Sequence, residues 1–249
     1  MELPKLKKIN LEKPKKRKIL LLADDLRLPS GIGTISKEIV LNTVSEYDWI
    51  QLGAALSHPD KGKAFDISEE VRKETGIADA DVKIIANDGY GDRNILFNIL
   101  QHEKPDAIFH FTDPRYWDWL YEIEHDIKTV FNIPIIYYSI WDDLPYPMWN
   151  APFYGSCDLI MGISKQSDNI HREVLLQNGY GVYDYDAEEN NENPELDWNE
   201  IITGYVPHGL NHNTYKPLTE SDPTYKKFFE DIKVKNNIDF VGFWNNRNI

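Results

Sequence analysis

Cysteine is almost absent from this chain. Cys157 is the only one among 249 residues, which excludes an internal disulfide and suits a reducing, cytoplasmic setting. Long apolar runs are missing too: no stretch approaches the roughly 18 consecutive apolar residues of a membrane span. Residues 1–18 are charged throughout with no apolar centre, so they do not read as a secretory leader. Positive charge is scarce, with 27 Lys and Arg against 41 Asp and Glu, a net charge of -14. What there is of it is crowded at the start. Residues 1–18 hold eight Lys/Arg against Glu2 and Glu12, a local +6, so the remainder carries -20. So acidic a body excludes broad nucleic-acid binding, which needs clustered cations. Residues 1–17 are read as a solvated basic leader, the alternative being that Lys13, Lys15, Lys16, Arg17 and Lys18 touch phosphate or an anionic membrane surface.

Metal-ligand patterning is lacking. The seven histidines are scattered, and His208 and His212, the one close pair, lie in a turn without a third ligand. Between 173 and 215 there are nine Asp/Glu and no Lys or Arg. Residues 183–199 are read as an exposed acidic loop, because nothing in their spacing shows the convergence a divalent cation requires. No metal site and no obligatory metal are expected. Glycine patterns are incomplete: Gly31-Ile32-Gly33 satisfies neither the dinucleotide-binding fingerprint nor the Walker loop. A nucleotide-sugar epimerase is further disfavoured by the absence of a Tyr-x-x-x-Lys pair. A phospho-acceptor receiver domain, suggested by Asp24-Asp25, fails because the third strand ends in Ala86-Asn87 and the fifth near Ser139.

What is present is alternation. Short apolar runs at 18–23, 48–54, 81–86, 107–111, 133–140, 157–163 and 201–206 read as strands. Between them lie helical patterns: one bearing Ile35, Ile39, Val40, Thr43, Val44 and Tyr47 on one face, then 92–103, 114–128 begun by Pro114 and capped by Asp113, and 165–178 capped by Ser164. A further helix is expected over 225–234 and a further strand over 239–243. Strands and helices alternating at this spacing predict an α/β fold, a doubly wound parallel sheet of Rossmann-like type. Ligands of such sheets bind at the carboxyl ends of the strands.

Three constellations fall there. At Gly31-Ile32-Gly33 a helix N-terminus follows a strand, and this serves either as a structural turn or as a phosphate cradle. Tyr137-Tyr138-Ser139-Ile140-Trp141-Asp142-Asp143 sets carboxylates beside aromatics, as a sugar site would, or as a helix cap over core rings would. Tyr205-Val206-Pro207-His208-Gly209 is a strand-ending turn in which His208 is either structural or catalytic. Cys157 sits within a strand pattern and reads as a small buried hydrophobe.

The order of the blocks carries more than any one of them. PSGIGTISKEI, IPIIYYSIWDDLPYPMWN, CDLIMGISKQS, YVPHGLNHNTYKPL and DFVGFWNNRN follow one another along residues 18–249. This succession resembles the retaining GT-B glycosyltransferases of the family-4 type, notably the branch of phages and bacteria. The resemblance implies that 18–237 form the acceptor-side domain, the N-terminal half of a GT-B fold, with 238–249 starting a truncated donor-binding domain. It implies transfer of a sugar from a nucleotide sugar, with retention, to an acceptor that is a glycan, lipid, protein or nucleic-acid base. Gly31, Ile32 and Gly33 would approach the donor diphosphate, Ser164, His208 and Gly209 would line the cleft rim, and Arg247 would begin the donor site. Many members carry a histidine after the fifth strand. This chain has Ser139 and Trp141 there, leaving Asp142, Asp143 and Ser139 as the catalytic candidates. The alternative is a non-catalytic Rossmann-like binding or scaffold module.

Overall fold

A computed structural model describes residues 15–57, 61–187, 200–209, 211, 219 and 221–227. It divides into two compact units, Met1–His208 and Gly209–Ile249. The first is built on one nine-stranded sheet. Its strands are β1 (Arg17–Asp24), β2 (Tyr47–Ala54), β3 (Ala64–Asp66), β4 (Val82–Ala86), β5 (Ala107–Phe111), β6 (Ile135–Ser139), β7 (Leu159–Gly162), β8 (Val182–Asp184) and β9 (Ile201–Tyr205). The order across the sheet is β3-β4-β2-β1-β5-β6-β7-β9-β8, and every pairing is parallel except β3 with β4.

The helices are α1 (Gly31–Thr43), α2 (Ser68–Thr75), α3 (Arg93–Glu103), α4 (Asp118–Glu122), α5 (Glu124–Val130), α6 (Ala151–Gly155) and α7 (Lys165–Gln177). The period-2 geometry of the strands assigns them to two faces. In β1, Leu20 and Leu22 join one core with Leu96 and Leu100 of α3, Leu120 of α4, Ile127 of α5 and Val174 of α7. Ile19, Leu21 and Ala23 join the other with Val40 of α1 and Val71 of α2. Both faces of β1 are therefore covered, and its run of apolar residues is explained by burial on each side. The chain winds outward from β1 to β2 and β4, then returns to β5 and winds the opposite way. Strand order reverses between β1 and β5, and the carboxyl ends there form the crevice in which such sheets hold ligands.

Three elements differ from the sequence expectation. The segment expected as one helix over 114–128 is a 3₁₀ turn (Pro114–Trp117) followed by α4 and α5. Strand β3 and helix α2 interrupt what reads as polar connection, because Ala64–Asp66 is too short to show a period. Residues 183–184, assigned to an acidic loop, belong to β8, paired parallel to β9 through Tyr183 and Ile202. Residues 188–199 lie outside the described residues.

The basic leader is corrected at its end. Lys16 Nζ donates to the carbonyls of Val44 (2.7 Å) and Asp79 (2.8 Å) and pairs with the Asp79 carboxylate at 3.1 Å. Lys18 Nζ lies 2.8 Å from Glu103. These two cations fasten the entry of β1 to the body, so they are not part of a free phosphate-binding tail. Residues 1–14 lie outside the described residues. Of the second unit, residues 223–227 are helical, overlapping the start of the helix expected over 225–234, whose residues from 228 lie outside the described ones. The strand expected over 239–243 and Arg247 lie outside the described residues. Among the described residues no helix is long and apolar enough to cross a membrane.

Candidate functional site

Polar loops gather at the carboxyl edge of the sheet. After β1 the chain turns sharply: Gln51 Nε2 donates to Asp24 O (2.8 Å), and Gln51 Oε1 accepts from the amide of Leu26 (2.9 Å). Asp25 is fully buried and takes two hydrogen bonds from the Arg27 guanidinium, at 2.8 and 2.7 Å. Those bonds hold the Arg27 guanidinium above its ordinary pKa. Ser30 caps α1, its Oγ accepting from Gly33 N (2.9 Å) and donating to Asp24 Oδ2 (2.7 Å).

The two glycines of this junction differ in kind. A Cβ on Gly33 would lie 2.6 Å from Leu28 O, so this glycine is demanded by the turn packed against it. A Cβ on Gly31 would meet nothing within 4 Å. Ile32 follows Gly31 in the first turn of α1, half-buried at the edge of the α1–α2 core.

The loop after β4 brings in residues that sequence reasoning missed. Ala55 and Gly89, both at positive φ, join through Ala55 N donating to Gly89 O at 2.9 Å. Gly91 follows at φ 81°, where a side chain would be strained. Tyr90 is held between these glycines and stacks on Tyr116 with ring centroids 4.7 Å apart and 8° between planes. Burial raises the Tyr90 phenol pKa, and the negative charges of Asp24 and Asp113 add to the shift. The stack on Tyr116 brings Tyr90 to the loop after β5, beside the switch point. The tyrosine flanked by glycines just past a strand end was the signal available in the sequence.

Asp113 caps the turn after β5, accepting from the amide of Arg115 (2.9 Å) and pairing with its guanidinium. Burial alone would raise the Asp113 carboxyl; hydrogen bonds from Arg115 bring it below the ordinary value instead. The guanidinium lies over the Trp141 ring at 5.2 Å, and Trp141 packs edge-to-face on Trp149 at 6.1 Å.

The residues expected to be catalytic fall into two environments. Ser139 is fully buried, and its Oγ accepts from Trp141 N at 3.3 Å. Beside it burial drives the Tyr137 and Tyr154 phenols upward, offset in part by hydrogen bonding that includes Ser139. Asp142 and Asp143 are exposed. Asp143 Oδ1 accepts from Leu144 N (2.9 Å), and the Asp142 carbonyl accepts from Gln166 of α7 (2.8 Å).

Ser164 caps α7, accepting from Ser167 N at 3.0 Å. His208 is half-buried, edge-on to Phe111 (5.9 Å) and Tyr138 (5.4 Å), with burial lowering its pKa. Tyr138 Oη donates to Val206 O at 2.7 Å and so ties the strand-ending turn to β6. Gly209 is exposed and opens the second unit.

Carboxylates do converge at one other place. Asp168 of α7, Asp184 of β8 and Asp186 each offer an oxygen within 4.8 Å of the others. Only the fold brings Asp168 to the acidic segment, which is why spacing along 183–199 could not show it. Arg172 lies among them, 3.5 Å from Asp168 and ion-paired with Asp184, and supplies a cation from the protein itself.

No protein-family model and no curated protein matches this chain. Among solved structures, the α,α-trehalose-phosphate synthase (UDP-forming) from Burkholderia vietnamiensis is similar at 9% identity. The match covers 88% of this chain and 55% of that one, with a TM-score of 0.44. UGT71G1 from Medicago truncatula, solved with UDP-glucose, is similar at 9% identity over 86% of this chain and 56% of that one, with a TM-score of 0.34. The chain spans little more than half the length of either. Both likenesses are too distant to carry an argument. What stands independently is the class: a doubly wound α/β domain with a polar, aromatic crevice at its strand ends.

Proposed function

We propose that this chain is the acceptor-side domain of a retaining glycosyltransferase of GT-B type, acting with a nucleotide sugar as donor. The observation that carries the reading is positional. The sequence blocks around Gly31, Asp142, Ser164 and His208 are far apart in the chain, yet all fall on loops at one edge of one sheet. Their order is the order of the family they resemble.

In this reading the amides of Gly31 and Ile32 and the positive end of α1 face the donor diphosphate. The bond from the sugar's anomeric carbon to phosphate breaks, and a bond to an acceptor oxygen forms on the same face. The acceptor's proton leaves with the nucleotide diphosphate. The helix dipole and basic side chains offset the charge on the leaving group, so no metal is required. Asp142 or Asp143 lies by the reacting sugar. Ser164 and His208 line the rim.

The test is a nucleotide-sugar panel offered to the whole protein, followed by calorimetry and by release of free nucleotide. Binding or slow hydrolysis of at least one donor is expected; silence across the panel overturns the reading. Residues 1–249 alone are expected to show little turnover, because the groups of both domains must be held in register.

One observation favours a second reading, a binding module without catalysis. Ser139 is buried while Asp142 and Asp143 are exposed, so the three are not gathered around one point. Capture of a ligand without any nucleotide-sugar affinity would decide for it.

A further inference from the structure

Two exposed aromatics at the carboxyl edge each belong to a backed pair. Tyr116 is 55% exposed and lies flat on Tyr90; Trp149 is 57% exposed and packs on Trp141. In each pair an outer ring faces water and a half-buried inner ring holds it. The pairs are linked, since Arg115, next to Tyr116 in sequence, lies over the Trp141 ring at 5.2 Å. The result is one strip: Tyr116 over Tyr90, then the Asp113–Arg115 pair, then Trp149 over Trp141.

Leaving two large rings exposed forgoes the gain of burying their apolar surface, which a purely solvated loop tip would not do. Holding each ring in place beforehand lowers the entropy lost when a ligand covers it. Chemistry of the gaps narrows the ligand. Asp113 caps the turn that carries Tyr116, and Asp142 and Asp143 are exposed in the loop that carries Trp141. Carboxylates accept hydrogen bonds from hydroxyls. The arginines of these loops, Arg27 and Arg115, are each committed to a carboxylate. A phosphate-bearing ligand would meet negative charge here, within a chain of net charge -14.

We infer that the strip binds an uncharged oligosaccharide, with one sugar ring on Tyr116, another on Trp149, and hydroxyls between them reaching the carboxylates. Calling this glycan the acceptor rests on the transferase reading above. The binding itself does not.

The experiment is calorimetry of residues 1–249 with neutral gluco-, manno-, galacto- and N-acetylglucosamine ladders, from monosaccharide to hexasaccharide. At least one ladder is expected to tighten by tenfold or more with length. Trp149→Ala and Tyr116→Ala should each abolish that gain, by roughly tenfold or more, as truncating an aromatic anchor does. Unchanged thermal midpoints would show that both variants fold.

Flat or absent binding across all ladders overturns the inference, as do variants that bind like the parent. Preference for single-stranded DNA over every glycan overturns it as well. The two readings fail separately. Nucleotide-sugar turnover with no length-dependent glycan binding sinks the strip alone; length-dependent binding with no nucleotide-sugar affinity sinks the transferase alone.

Discussion

Two aromatic clusters sit a few residues apart in sequence and meet opposite fates. Trp117, Tyr137 and Tyr154 are fully buried, while Tyr116 and Trp149, beside them along the chain, stand more than half exposed. The buried set closes around two histidines. His110 stacks on Tyr137 at 5.1 Å and shares a 2.6 Å hydrogen bond between its Nδ1 and Tyr121 Oη. His171 meets Tyr154 edge-on at 5.0 Å, and neither of its ring nitrogens has a partner among the described residues. The same residue types thus build a core on the helix-covered side and a surface at the strand ends. Neighbour in sequence does not mean neighbour in solvation: a 3₁₀ turn at Pro114–Trp117 turns Tyr116 outward and Trp117 inward.

The sharpest way to break this comparison is truncation on both sides of it. Trp117→Ala should cost about 3–5 kcal/mol, the usual range for emptying a buried aromatic site. Trp149→Ala should stay within about 0.5 kcal/mol of the parent, as surface changes do. Urea titrations of the two variants read the difference directly, and similar costs would mean that the strip belongs to the core.

Next in size is the response to acid between pH 6.5 and 5, the range in which the two buried histidines act. Burial pushes both His110 and His171 down to about 3, from an ordinary value of 6.5. For His110 the negative charge of Asp113 acts in the opposite sense and is outweighed. Below pH 6.5 the unfolded histidines take up protons that the folded ones refuse. Stability is therefore complete above about pH 6.5 and falls as the pH drops through it toward 3. The loss by pH 5 should be about 2 kcal/mol per histidine. His171→Leu should remove one such share from the slope of stability against pH. A slope unchanged by that substitution would mean that His171 is solvated.

Much of the frame was legible in the sequence, for identifiable reasons. Strand β5 was read to the residue because its apolar run is bounded by Pro105-Asp106 and Thr112-Asp113. The caps Asp113 and Ser164 were legible, and both side chains accept amide hydrogen bonds where the structure places them. Strand β3 was not, since three residues show no period and its only partner is an antiparallel strand. The site was less legible than the frame. Alternation places Ser139 on the same face as Tyr137, but it does not say that α6 closes that face with Tyr154. Tyr90 was missed because its importance comes from Asp24, Asp113 and Tyr116, which the fold supplies from two other strand ends. Asp168 shows the same rule: it meets Asp184 and Asp186 only because β8 lies at the sheet edge beyond β9.

The smallest expected effects sharpen the comparison at a pair of glycines one residue apart. Sequence treats Gly31 and Gly33 as one motif, yet the fold gives them different work. At Gly33 a new Cβ would lie 2.6 Å from Leu28 O and 3.0 Å from Asp25 O, both backbone atoms that cannot rotate away. Gly33→Ala should therefore cost about 1–3 kcal/mol, as overpacking does. At Gly31 nothing lies within 4 Å, and the residue is helical rather than at positive φ. Gly31→Ala should leave stability unchanged or raise it by about 0.4–1 kcal/mol, through lost freedom in the unfolded chain. If α1 faces a donor diphosphate, the added methyl would stand where the backbone must be approached closely. The variant would then be a stable protein with weakened nucleotide-sugar binding. Calorimetry on the whole protein, set beside its urea midpoint, separates the cases. Unaltered donor binding in Gly31→Ala would mean that this helix end is a structural turn and that the diphosphate, if bound, is held elsewhere.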